Sequence, residues 1–331
     1  MRTKSSLLLL TVLLVFGCSK ADKEQPSFPI VKSEATYDVI LEEGITYAKG
    51  LSHQSWNSQT STSMDLKIDA YVPKNDLINR PTILLIHGGG FVGGSRKQVA
   101  IVDMANYFAS RGWVVFSMDY RIKDDFGTIP QEWIDYSTNL DPVDIDVFSE
   151  VGQFLAMYPA HRDVKAALRW VVANADGYKI STNYITVGGG SAGAMIAVGI
   201  GISTEEDYRN EINVNEDNTL SATHLEESYQ IKTILDFWGA KISLDALELI
   251  YGHQRFNSNN PPLLIVHGTE DTSVSFSNAE ELRTIYENTG VDYEFYPLQG
   301  LGHGPWNAMV NEKSLSDLAF DFIVEKQNII N

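Results

Sequence analysis

The sequence predicts an α/β domain, a mostly parallel central sheet of about eight strands with helices on both faces. Three observations carry that expectation. Short apolar runs bounded by turn residues recur at 82–86, 113–118, 184–187, 233–237, 263–266 and 293–296. They are apolar at successive positions, as suits strands buried on both faces of a parallel sheet. Amphipathic segments lie between them, and from Tyr37 onward no second linker, internal repeat or low-complexity tract intervenes beyond one short polar loop.

The elements follow in order. A polar loop at 52–63 joins two candidate strands, of which 64–72 alternates as Met-Asp-Leu-Lys-Ile-Asp-Ala-Tyr-Val before Pro73 stops it. In 161–175, Val164, Ala167, Leu168, Val171 and Val172 recur at helical spacing, and 279–288 and 314–325 behave similarly. Two stretches break the rhythm. The first, 122–159, scatters Phe126, Trp133, Tyr136, Phe148, Phe154 and Tyr158 among acids, and reads either as a substrate-pocket wall or as surface decoration. The second, 203–229, is polar and very acidic and reads as plain surface.

Composition bounds the function. With 331 residues, 44% hydrophobic and 21% charged, the chain is a globular protein whose core needs no disulfide or metal. A net charge of -18 argues against nucleic acid, because phosphate binding needs clustered Lys and Arg. The single cysteine, Cys18, follows a basic start (Arg2, Lys4) and an apolar run at 7–16. That run is too short to span a bilayer but suits a signal peptide. Val15-Phe16-Gly17-Cys18 resembles the lipobox of bacterial lipoproteins, which implies cleavage after Gly17, acyl chains on Cys18 and an envelope membrane as partner. The expected organisation is a lipoprotein signal at 1–17, a lipidated Cys18 with a flexible polar tether to 35, and one catalytic domain at 36–331.

The chemistry centres on Gly189-Gly190-Ser191-Ala192-Gly193, which sits between an apolar strand and the helix-like run 194–198. A sharp strand-to-helix turn strains the backbone at the serine and tolerates only small residues two positions either side. It leaves the Ser191 hydroxyl at a helix N-terminus, which favours developing negative charge. His87-Gly88-Gly89-Gly90-Phe91 follows the strand at 82–86, where side-chain-free backbone can aim N–H groups at an oxyanion. Gly88 and Gly89, joined by Ala192, are the expected donors. His303, in a glycine-rich loop after the strand at 293–296, is the expected general base. It must be neutral to act, so activity should fall below about pH 6 to 7. Asp271, after the strand at 263–266, is the expected carboxylate partner, with Glu270 the alternative.

His87 and His267 each end a strand and read as loop-orienting, while His53, His161, His224 and His253 read as solvated. Phe91 and Trp306 are candidates to line an acyl or aryl pocket, although core positions would look the same. Asp141, Asp144 and Asp146 are interrupted by Pro142 and lack the glycine of a calcium loop, so no metal site is assigned and no cofactor is expected.

From Tyr37 to the C-terminus the chain resembles the α/β-hydrolase superfamily, near the bacterial esterase and lipase branch with the His-Gly-Gly-Gly motif. The order Ser191, Asp271, His303 is that of this fold. Asp119-Tyr120-Arg121 and Gly268-Thr269-Glu270-Asp271 are further points of similarity, with Asp119 and Arg121 read as structural. One departure is Gly190, where hormone-sensitive-lipase-like members usually carry an acid, and it leaves the subfamily open. The resemblance implies a serine carboxylesterase acting through an acyl-enzyme on short acyl or aryl esters, including acetyl or feruloyl groups on polysaccharide. An amide-cleaving relative and a non-catalytic binding protein on the same scaffold are the alternatives.

Overall fold

The computed structural model describes residues 28–140 and 148–331. Its strands are β1 (Val39–His53), β2 (Ser61–Pro73), β3 (Arg80–Ile86), β4 (Val114–Met118), β5 (Ile180–Gly190), β6 (Ile231–Phe237), β7 (Leu263–Gly268) and β8 (Tyr293–Leu298). They form one eight-stranded sheet in the order β1-β2-β4-β3-β5-β6-β7-β8. The pairs β1–β2 and β2–β4 are antiparallel, and every pair from β4 through β8 is parallel. Met309–Val310 (β9) and Lys313–Ser314 (β10) make a separate small ribbon.

Successive residues of the central strands enter opposite core layers, as strand geometry requires. Leu84, Ile86, Val114, Phe116, Val187 and Ile234 face one layer, where α3 (Val151–Ala173), α5 (Ala192–Ile202) and α7 (Ser277–Thr289) pack. Ile83, Leu85, Val115, Leu235, Leu264 and Val266 face the other, covered by α1 (Val99–Ala109) and α8 (Leu315–Gln327). This double burial is why these strands read as unbroken apolar runs. Because β3 and β5 to β8 run parallel, the loops leaving Ile86, Gly190, Phe237, Gly268 and Leu298 all open at one end of the sheet.

Several expectations change. The stretch 122–159 is not one long loop: it holds α2 (Gln131–Ser137) and the first turns of α3, which starts at a reciprocal cap between Glu150 and Gln153. From Gln153 to Val171 every residue of α3 is buried, so the segment shows no polar face over its N-terminal half and Pro159 disguises it further. His161, expected in solvent, lies inside this helix, fully buried and stacked on Tyr208, with its pKa pushed down to about 4 by burial. Of the other three histidines expected in solvent, His53 and His224 are half-buried and His253 is exposed.

The acidic stretch 203–229 is not plain surface either. Tyr208, Ile212 and Leu220 are buried, and the cations of α3 reach into it. Lys165 Nζ donates to the carbonyls of Thr204 and Asp207, Arg162 to those of Arg209 and Ile212, and Arg169 to that of Thr223. These bonds satisfy backbone that lacks helix or strand partners. Burial lowers Lys165 to about 8 and Arg169 to about 10.

Asp119 and Arg121 have the structural roles expected of them. Arg96 bridges Asp119 and Asp69, and Arg121 forms a buried multidentate pair with Asp163. Ile30 and Val31, counted above within the tether, are docked: Ile30 pairs with Ile330, and the Val31 N–H donates to the Ile330 carbonyl. Cys18 and the acids at 141, 144 and 146 lie outside the described residues. Among the described residues no helix is long and apolar enough to cross a membrane, and no group of three or more His, Cys, Asp or Glu could hold a metal.

Candidate active site

β5 runs through Gly188, Gly189 and Gly190 and delivers Ser191 to the start of α5. Ser191 adopts φ 57° and ψ -125°, a conformation that costs of order 1–3 kcal/mol for a residue with a side chain. It is held there by its N–H on the Phe237 carbonyl (2.9 Å) and its carbonyl under the Met195 N–H (3.0 Å). The two outer glycines are obligatory. A Cβ on Gly189 would stand 2.3 Å from the Ile86 carbonyl oxygen, and one on Gly193 2.2 Å from the same atom.

The residues assigned as base and acid meet at this turn. His303 Nε2 lies 2.9 Å from Ser191 Oγ, and His303 Nδ1 lies 2.7 Å from Asp271 Oδ2. A carboxylate can only accept, so Nδ1 carries the proton and Nε2 is free to take the hydroxyl proton. Asp271 Oδ1 accepts the N–H groups of Ser273 (2.8 Å) and Val274 (2.9 Å). Burial pushes the Asp271 carboxyl up, but the Val274 N–H, the His303 ring and the Ser273 N–H together hold it below the ordinary carboxylate range. Glu270 is exposed and contributes only its backbone, to the Leu301 carbonyl. His267 lies close to Asp271, but its Nε2 donates to the Val274 carbonyl at 2.8 Å, so it orders the acid loop as expected.

The glycine loop corrects one assignment. The Gly88 N–H is already taken, donating to Gln98 Oε1 at 3.2 Å. Gly88 is a glycine for another reason, since a Cβ there would meet the Gly190 carbonyl oxygen at 2.7 Å. Among the described residues, the N–H groups of Gly89, Gly90 and Ala192 have no partner. The two glycine N–H groups are aimed by their own peptide carbonyls, because N–H and C=O point opposite ways across a planar peptide. The Gly88 carbonyl accepts from His87 Nδ1 at 2.8 Å, and the Gly89 carbonyl accepts from the N–H groups of Val92 and Gly93. His87 is itself clamped, stacked on Tyr120 at 4.3 Å, and burial lowers its pKa and keeps it neutral. Gln153 fixes the far end, with Nε2 donating to the Gly90 carbonyl (2.7 Å) and Oε1 accepting from Ser149 and Glu150.

These groups line a cavity of about 620 Å³ together with Phe91, Phe148, Met195 and Trp306. Phe91 is fully buried and packs edge-on against Phe148. Trp306 lies over Gly190, where a Cβ would come within 2.5 Å of its ring. The glycine that departs from the resembling family is thus explained by the indole above it. Sequence reading missed Gly90, Gln98, Gln153 and Trp238. Trp238 directly follows β6, and its ring meets Trp306 at 4.7 Å and His303 at 6.4 Å. Its place after a buried strand was the available signal; the glutamines had none.

Comparison with known proteins agrees. The chain matches the BD-FAE family over residues 68–141 and 153–248, just over half its length. It is 24% identical over 246 residues to Esterase LipC of Mycobacterium tuberculosis, covering 68% of this chain and 53% of that protein, so it spans about half the length of that relative. Among solved structures, the esterase Est2 of Thermogutta terrifontis with propionate bound is 21% identical with a TM-score of 0.58, over 88% of this chain and 94% of that one. A truncated carbohydrate esterase from gut microbiota is 18% identical with a TM-score of 0.55, over 90% and 99%. At such identities the structural likeness bears on the fold, which is that of the α/β-hydrolases. The chain belongs to the BD-FAE family.

Proposed function

We propose that this protein is a serine carboxylesterase that cleaves short acyl or aryl esters, among them acetyl or feruloyl groups carried by polysaccharide. The observation that carries this reading is the relay from Ser191 Oγ to His303 to Asp271, at 2.9 and 2.7 Å, facing three unpartnered N–H donors. Ser191, losing its proton to His303 Nε2, attacks the ester carbonyl, and the N–H groups of Gly89, Gly90 and Ala192 take up the charge on oxygen. His303 then gives its proton to the departing alcohol. Water, activated by the same ring, releases the acid from the acyl-enzyme. Asp271, kept ionised, holds the ring in the required tautomer and offsets its positive charge. The carbohydrate esterase among the structural neighbours supports a polysaccharide-borne substrate.

The test is Ser191→Ala assayed on p-nitrophenyl esters of two to sixteen carbons, acetylated xylan, methyl ferulate and a p-nitroanilide. Activity on short esters that vanishes in the variant is expected. Full-rate ester hydrolysis by Ser191→Ala overturns the assignment, and a preference for the anilide favours an amidase.

The proposed location is the bacterial envelope, with Cys18 acylated after cleavage at Gly17. It is supported by the lone cysteine placed directly after a short apolar run. Intact-mass measurement on protein extracted from membranes tests it, and an unmodified Cys18 sinks it.

A further inference from the structure

Next to the catalytic cavity lies a second one of about 470 Å³, and Gln98 and Trp306 belong to the walls of both. Trp306 is a fixed divider. It rests on Gly190, its ring meets the Trp238 ring at 4.7 Å and the Phe237 ring at 5.3 Å, and its backbone N–H donates to the Gly304 carbonyl. Beyond it the floor is formed by the first turns of α1 and α8.

The position of this second cavity relative to the reaction matters. The alcohol must leave within reach of His303 Nε2, since that nitrogen supplies its proton. His303 lines the catalytic cavity alone, and Trp306, three residues further along the same loop, carries the wall on into the second cavity. Phe91, Phe148 and Met195, which line only the catalytic cavity, come from other elements.

Its chemistry is specific. Asp103 and Asn307, both exposed, and the half-buried Ser316 line it with side chains that have no hydrogen bond or ion pair to another described residue, so their polar atoms face solvent and are open to a ligand. They stand beside an indole, and Asp103 is the one charged residue of the lining. Unpartnered acceptors and an amide around an aromatic face match a ring that carries hydroxyls on its edge and C–H groups on its face. The uncompensated carboxylate disfavours an anionic ring.

We propose that this second cavity holds the alcohol part of the ester, a neutral sugar unit, with Trp306 as platform and Asp103 and Asn307 as hydrogen-bond partners. The proposal rests on the esterase reading above, and it adds where the alcohol sits and which charge it must not carry.

The experiment compares kcat/KM for p-nitrophenyl acetate, an O-acetylated neutral xylo-oligosaccharide and its uronate-bearing counterpart, in wild type, Asp103→Asn and Asn307→Ala. Wild type should prefer the neutral sugar ester to the uronate. Asn307→Ala should lower kcat/KM for the neutral sugar ester roughly fivefold relative to p-nitrophenyl acetate, mainly through KM. Asp103→Asn should raise the rate on the uronate ester roughly fivefold relative to p-nitrophenyl acetate, a gain that misfolding cannot mimic. Parallel changes on all three substrates overturn the subsite while leaving the esterase reading intact, as does a wild type that cleaves p-nitrophenyl acetate but no sugar ester. A wild type inactive on every ester removes both.

Discussion

Replacing His87 by Leu tests whether the oxyanion donors are aimed as the geometry indicates. The ring does not line the catalytic cavity; it acts through one 2.8 Å bond from Nδ1 to the Gly88 carbonyl. That bond fixes the peptide whose other end is the Gly89 N–H. Leucine fills similar space but donates nothing, so the carbonyl is left unsatisfied, a cost of about 1–3 kcal/mol. Rotation of the peptide relieves that cost, and the same rotation turns the Gly89 N–H away from the site. The limit is complete loss of one oxyanion donor, about 100- to 1000-fold in kcat, or about 2.7–4 kcal/mol. The assay is steady-state hydrolysis of p-nitrophenyl acetate, with thermal melting to verify folding. Because the donor acts on charge that develops only in the transition state, kcat should fall with KM changed less than about twofold. His87→Asn, whose amide N–H reaches a similar position, should recover much of the loss. A folded His87→Leu enzyme with kcat within about threefold of wild type refutes the reasoning.

Three further outcomes are expected. Asp271→Asn keeps an acceptor for Ser273 and Val274 but presents an N–H to His303 Nδ1, so the ring takes the wrong tautomer; kcat should drop about 10⁴-fold in a folded protein, as pre-steady-state and circular dichroism measurements can verify. Gly190→Ala places a methyl 2.5 Å from Trp306 Cζ2, so the indole must shift on Trp238; specificity between small and bulky alcohols should change more than activity on p-nitrophenyl acetate. Asp236 is fully buried, with Oδ1 accepting from the Gly239 N–H and Oδ2 without a partner, and burial raises it to about 7. Its folded pKa lies above the unfolded value, so its contribution to stability is full below about pH 4 and is lost as pH rises to about 7, at up to about 1.4 kcal/mol per unit. Urea midpoints at pH 5 and pH 8 should therefore diverge more in wild type than in Asp236→Asn; equal pH slopes contradict it.

The serine turn, the two strands feeding it, the acid and base loops and the parallel sheet were legible because each rests on local rules. Strands buried on both faces must be apolar at every position, and a turn as tight as that at Ser191 excludes side chains at 189 and 193. Loops that follow parallel strands open at one end of the sheet, which is why residues as distant as Ser191, Asp271 and His303 could be grouped before any geometry was known. Periodicity failed where burial was complete. The N-terminal half of α3 presents no polar face, so neither that half nor the buried His161 could be read, and the inward residues of 203–229 were hidden among outward acids.

The sequence by itself determined the reaction centre's parts, a nucleophile on a strained turn, a base, a carboxylate and a side-chain-free loop, because the steric and hydropathic rules that produce them act over a few residues. Tertiary structure alone decided which N–H groups are open. Gln98 closes Gly88 and Gln153 anchors Gly90 through contacts between the loop and two helices that sequence spacing does not connect, while His87, stacked on Tyr120, aims Gly89. It also decided why Gly190 is there, since only in the folded chain does Trp306 lie across it.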